Sequence, residues 1–484
     1  MDLTHLPPAI AQRLEFITNT LSLADPKTDD LGRAAAACED LLTADRTNSG
    51  IIFLLGTVYM KVGKFGIAEN LFQRAIQLSP DAPEVYNNLG FICHSEGRVE
   101  EATVAFNRCL ELQPDNVEAM SNLASVFVNN GTPQRALDAC DQVLAADPTQ
   151  VDAKWNRALA LLEMGRWDEA WPAYRAGLDL GGRSSLHRKA RHTSLPYWDG
   201  DPSVPVVVYG EQGVGDELMG YSMIPDLLDA GVDFVLEAHP RLVNIAREAF
   251  HGVPVYGTRK LDDDGAMVFA EHPHLRAKIP ILGLGEYFRS TDASFPRVPY
   301  LDHMERLTDL LPPLAQRLHV GLSWSGGTQP TRGDLRSIAL GAFLPMMEHF
   351  GDQVQWISLQ YDPAEAPGLH GPVVAQFSKD TKVPVHHWPH IINDLDLCYA
   401  GLLPQLDLVV SVNTSLVHAC GAFGVRCVTL TPSKPAWRYG MKGIRMPWYG
   451  NHVRVARQET EGDWSAPLQV AFEAITTRLG SKAA

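Results

Sequence analysis

Cysteine is scarce in this chain, and what there is lacks the arrangement for metal or disulfide work. Seven cysteines in 484 residues form neither a paired framework nor a Cys-x-x-Cys spacing, which excludes a disulfide-stapled fold and a thiolate metal site. Cys38, Cys93, Cys109 and Cys140 fall on helical faces, where a reduced thiol packs as a small hydrophobe. Basic charge is short too. With 41 Lys and Arg against 57 Asp and Glu, the formal net charge is −16, which argues against a nucleic-acid partner, since that needs a basic face. No long apolar run is present. The most apolar stretch, 406–430, is broken by Asp407, Asn413, His418 and Arg426, and reads as strand, turn, helix and strand instead of a membrane span. Residues 1–20 carry charges throughout and lack the pattern of an export signal. The expectation is a cytoplasmic protein without a membrane span. Gly-x-Ser-x-Gly elbows and Walker loops are also missing.

What is present is a repeat. At an interval of 34 residues the chain matches itself: Gly56, Gly90, Ala124 and Ala158; Ala68, Ala102, Ala136 and Ala170; Gly63, Gly97, Gly131 and Gly165; Pro80, Pro114 and Pro148. This is the tetratricopeptide pattern, a helix-turn-helix unit. Small residues let the two helices of a unit approach, the middle glycine turns the chain, and the proline closes the second helix. Four repeats span about Ser49 to Gly182, and residues 15–48 keep only Ala34 and Cys38 in register, as a degenerate cap would. Such arrays hold extended peptides or partner helices. Asn88, Asn122 and Asn156 recur at one position. They form either a ladder of amides for a peptide backbone or packing residues between helices.

After a connector at 183–203, with Arg183, Arg188, Lys189 and Arg191, strands and helices alternate. Strands are expected near 204–208, 232–237, 253–256 and 267–269, and again near 319–324, 354–359, 383–387, 408–412 and 427–431. These make an α/β half over 204–316 and a second over 317–484, with a ligand cleft at the carboxyl ends of the strands.

Three constellations carry chemistry. In Gly210-Glu211-Gln212-Gly213-Val214-Gly215-Asp216 the third glycine of a dinucleotide fingerprint would fall at Leu218, and an acid at a helix start disfavours a pyrophosphate. Asp216 is then a general base or a helix-start residue. Asn413-Thr414-Ser415, with His418 one turn on, is a phosphate site at a helix N-terminus or a plain cap. Ser325 and Gly326 end a strand, and Arg336 is suited to a diphosphate or simply lies on the surface. The tract His386-His387-Trp388-Pro389-His390 has no accompanying carboxylate or thiolate pattern and reads as strand-end histidines rather than a metal site.

The ordered set Gly210–Asp216, Gly321–Gly326, Arg336-Ser337-Ile338, Ser358-Leu359-Gln360, Asn413–Ala422, Trp437-Arg438 and Pro447-Trp448-Tyr449 resembles bacterial tetratricopeptide-repeat glycosyltransferases, relatives of heptosyltransferases and of protein O-GlcNAc transferases. The resemblance implies a helical solenoid followed by a GT-B pair of Rossmann-like domains. It also implies no metal or cofactor, a nucleotide-sugar donor on the second half, and Asp216 as the base. Expected donor residues are Ser325, Gly326, Arg336, Gln360, Asn413, Thr414, Ser415 and His418. On the acceptor side stand Gln212, Gly213 and Gly215, with Asn88, Asn122 and Asn156 in the array. The family usually has Asp where this chain has Asn413. The reading is an inverting transferase acting on a protein held by the repeats, with flagellin among the acceptors the resemblance implies. Its rivals are transfer to a lipid or saccharide, and a scaffold with a degenerate transferase half.

Overall fold

A computed structural model describes residues 7–23, 26–178, 192, 194–258, 266–304, 310–311, 317–326, 333–362 and 368–483. The chain divides into two compact units at Ala160/Leu161.

The first unit is helical. Its helices are α1 (Pro8–Ser22), α2 (Thr28–Ala44), α3 (Ser49–Lys61), α4 (Phe65–Leu78), α5 (Pro83–Ser95), α6 (Val99–Leu112), α7 (Val117–Asn129) and α8 (Pro133–Ala146), with α9 (Val151–Met164) crossing the division. Gly63, Gly97 and Gly131 hold φ of 79°, 78° and 66° in the intra-repeat turns, a region open to glycine and strained for other residues. The small residues do what their spacing implies: a Cβ on Gly56 would lie 2.6 Å from the Phe72 ring, and one on Gly90 2.8 Å from Phe106. In the cap, Ala34 and Cys38 are fully buried with Leu14, Ile17, Leu31 and Leu55. All seven cysteines are buried and free of disulfides, and burial pushes the Cys140 thiol up to about 12.

The second unit takes in the end of α9 and α10 (Trp167–Leu178), and holds two parallel sheets. The first has β1 (Val206–Tyr209), β2 (Phe234–Glu237), β3 (Val255–Tyr256) and β4 (Ala277–Pro280), in the order β3-β2-β1-β4. Val208 sits between Leu236 and Ile279. The second sheet has β5 (Leu318–Ser323), β6 (Val354–Ser358), β7 (Val385–His386), β8 (Leu408–Val412), β9 (Cys427–Thr431) and β10 (Val453–Arg457). Its order, β7-β6-β5-β8-β9-β10, is the 3-2-1-4-5-6 of a doubly wound sheet, which puts a ligand crevice beyond the carboxyl ends of β5 and β8. The central strands β1, β5 and β8 are buried along their length, and in β1 and β8 this shows as valine-rich runs.

Three elements differ from the sequence expectation. Residues 267–269 lie in a helix, Ala266–Glu271, and the fourth strand is Ala-Lys-Ile-Pro at 277–280. Its lysine and proline hide it from an apolar pattern. Lys278 is buried, with its ammonium over the Tyr197 ring, 4.7 Å from the centroid. Strand β10 was not anticipated; it forms the sheet edge with Arg454 exposed. The connector's basic residues Arg183, Arg188, Lys189 and Arg191 lie outside the described residues.

Candidate functional site

The loop after β1 enters α11 (Val214–Tyr221) with Gly213 as N-cap and no side-chain cap bond. Asp216 is therefore in the first turn without serving as the cap. Its Oδ1 accepts from Nε of Arg438, which comes from a 3-10 turn after β9. Nη2 of the same guanidinium donates to Gln212 Oε1 at 2.7 Å. Both partners of the ion pair are mostly buried, with side chains 18% and 14% exposed. Burial works against the Arg438 charge, but Asp216, through charge and hydrogen bond, outweighs it and holds the guanidinium above its ordinary value.

On the second sheet, the loops after β5, β6 and β8 converge. Gln360 Oε1 accepts from the Trp324 and Ser325 amides at 3.0 and 2.9 Å, while its Nε2 donates to Ser325 O at 2.9 Å. Its amide is spent on shaping that loop. Ser325 Oγ meets Ser337 Oγ at 3.3 Å. A Cβ on Gly326 would lie 2.4 Å from Thr414 Cγ2, so glycine is what lets the β5 and β8 loops touch. Thr414 is the N-cap of α12 (Ser415–Ala422), its hydroxyl accepting from Leu416 N at 3.3 Å. Ser415 Oγ pairs with Tyr399 Oη at 2.9 Å. Asn413 is 1% exposed, and its Oδ1 accepts from the Thr429 and Thr431 hydroxyls at 2.9 and 3.0 Å. Its side chain thus braces β8 against β9.

The two halves of the site meet where α11 packs on α12. A Cβ on Gly215 would lie 2.9 Å from His418 Cδ2 and 3.1 Å from Ser415 Cα. His418 is buried, with Nδ1 3.0 Å from Tyr449 Oη, and burial lowers its pKa to about 4, against the pull of Asp216. Arg336 shares this field: burial lowers its pKa, Arg438 adds to the effect, and Tyr439 and Asp216 oppose it. A carboxylate, two guanidiniums, a neutral imidazole and a helix N-terminus are thus gathered at the carboxyl ends of two parallel sheets. Arg438 is the site residue that spacing alone did not single out. Its only signal was the Trp437-Arg438 pair in the set that carries the family resemblance, to which no role was attached.

The amides of the repeat array are partly occupied by the array itself. Asn88 Nδ2 donates to Thr57 Oγ1 at 3.1 Å and Asn122 Nδ2 to Asn87 Oδ1 at 3.0 Å, each across to the preceding repeat; Asn156 is 9% exposed. Among the described residues the one group with metal-ligand spacing is Glu69, Cys93 and Glu101, and there Arg98 bridges both carboxylates. Among the described residues, no helix is long and apolar enough to cross a membrane.

The chain carries tetratricopeptide repeats: models of that repeat match residues 49–82, 83–116, 104–151 and 121–185. It is similar to Protein FlbA of Caulobacter vibrioides, at 26% identity over 464 residues, covering 91% of this chain and 69% of the relative. Among solved structures it is similar to MamA, at 24% identity over 31% of this chain and 88% of that one with a TM-score of 0.29. It is also similar to YrrB, described as a TPR protein with an unusual peptide-binding site, at 22% identity over 37% of this chain and 92% of that one with a TM-score of 0.29.

Proposed function

We propose that the second unit is an inverting, metal-independent glycosyltransferase of the GT-B type, and that the repeats hold its protein acceptor. The observation that carries this is the ion pair of Asp216 with Arg438, with Arg336 in the same electrostatic field, at the carboxyl ends of two parallel sheets. A base for an acceptor hydroxyl and cations for a leaving phosphate are what transfer from a nucleotide sugar needs. In the reaction, the acceptor oxygen attacks the anomeric carbon while its proton passes to the Asp216 carboxylate. The bond from the anomeric carbon to phosphate oxygen breaks, and its electron pair leaves with the nucleotide. Arg336, Arg438 and the Thr414–Ser415 helix start stabilise that charge, His418 supplies a neutral imidazole beside it, and Ser325 and Gly326 line the approach. Gln360 and Asn413 keep these loops in place. Gln212, Gly213 and Gly215 frame the acceptor side.

The test is a panel of nucleotide sugars in calorimetry, followed by transfer assays. Wild type should bind at least one donor. Asp216→Asn should bind it equally while losing about 100-fold or more in kcat; unimpaired transfer would remove Asp216 as the base. The resemblance to flagellin-glycosylating enzymes makes flagellin the first acceptor to try. Transfer to a lipid or saccharide alone would displace the protein-acceptor reading. A chain binding no donor is a scaffold.

A further inference from the structure

Helix α10 belongs to the repeats by sequence, yet its side chains are built into the second unit. Trp171 is 1% exposed and donates from Nε1 to Arg289 O at 2.9 Å. Its indole fills the space that a side chain on Gly285 would need, with a Cβ there only 2.5 Å from the ring. It also meets Trp437, the neighbour of Arg438, edge-on at 6.2 Å. Trp167 packs on Phe295 at 4.9 Å. One turn of α10 beyond Trp171, Tyr174 is fully buried. Its hydroxyl donates to Glu211 Oε1 at 2.9 Å and accepts from Gln212 Nε2. The Gln212 carbonyl oxygen in turn accepts from Arg438, and Arg438 holds Asp216.

We propose that Tyr174 is a positioning residue for the Asp216 carboxylate, acting through Gln212 and Arg438. The amide of Gln212 is bound at both ends, to a hydroxyl on one side and a guanidinium on the other, so it has one orientation. That orientation presents its oxygen to Arg438, and the guanidinium plane then fixes the carboxylate. With the tyrosine hydroxyl gone, the amide turns more freely and Arg438 loses a fixed partner. Hydrogen bonds in such a chain reinforce one another. Glu211 orients the Tyr174 hydroxyl at the far end, and the two tryptophans fix where it sits. The role in turnover rests on the transferase reading; the geometric role does not.

The experiment uses the full chain and two readouts. In protein labelled with 15N-arginine, the Nε–H signal of Arg438, identified by its loss in Arg438→Lys, reports the ion pair directly. In Tyr174→Phe its hydrogen exchange should be about five- to tenfold faster, the scale of one lost hydrogen bond. kcat should fall by a similar factor, with donor affinity unchanged. Gln212→Ala breaks the chain at another point and should behave alike, which covers the case of Tyr174→Phe failing to fold. Unchanged exchange in both variants overturns the proposal. So does an equal effect from Arg175→Gln, which loosens α10 at its Glu286 pair without touching the chain of bonds. Faster exchange in a protein that binds no donor would uphold the positioning and sink the transferase reading instead.

Discussion

His418 shows how a single side chain ties the site to pH. Burial lowers its pKa from 6.5 to about 4, so the unfolded chain takes up this proton at a higher pH than the folded one. Its contribution to stability is therefore complete above about pH 6.5 and is lost as the pH falls toward 4. The shift corresponds to about 3 kcal/mol. Calorimetric melting across that interval should show wild type losing stability more steeply than His418→Gln; parallel curves would contradict a neutral buried imidazole. The lowered values of His319, His370 and His387, also due to burial, act in the same direction in both proteins. At this scale the sequence revealed the acid but not its partner. Asp216 stands out because glycines frame it between a strand and a helix. Arg438 lies 222 residues away in a short turn, and no local pattern pairs residues over such a distance. Asn413 is the converse case: its place after β8 was legible, but the direction of its amide, set by two threonines on β9, was not.

At the scale of elements, the contact of α11 with α12 leaves no room for a side chain at Gly215. Gly215→Ala would push a methyl group into His418 and the Ser415 backbone. Overpacking of this kind should cost about 1–3 kcal/mol, measured by denaturant unfolding, with a loss of transfer in proportion. Gly480→Ala is the contrast, since nothing lies within 4 Å of its Cβ and alanine favours helix; it should be neutral or slightly stabilising. Equal costs at the two positions would discount the close approach. The repeat helices were legible because each turn requires the same glycine geometry at the same interval, as Gly63, Gly97 and Gly131 show. The fourth strand was not. A lysine whose charge rests on Tyr197 and a terminal proline remove the apolar signature, while 267–269, apolar and short, fits strand and helix equally well.

For the whole molecule, what matters is where the chain can be divided. The compact units separate at Ala160/Leu161, and Trp171 and Tyr174 on α10 are packed into the second. A fragment beginning at Val151 should therefore unfold cooperatively, as followed by circular dichroism. One beginning at Arg183 leaves the Trp171 and Tyr174 sites open and should melt broadly or aggregate; indistinguishable melting would mean that α10 is dispensable to the sheets. The seat of Trp171 against Gly285 also has a historical corollary. Repeats of 34 residues can be gained or lost ahead of Val151 with Trp171 and Tyr174 kept, whereas a copy of the preceding repeat in the last place would bring Leu137 and Cys140 to their positions. The final unit is the one copy that duplication cannot replace.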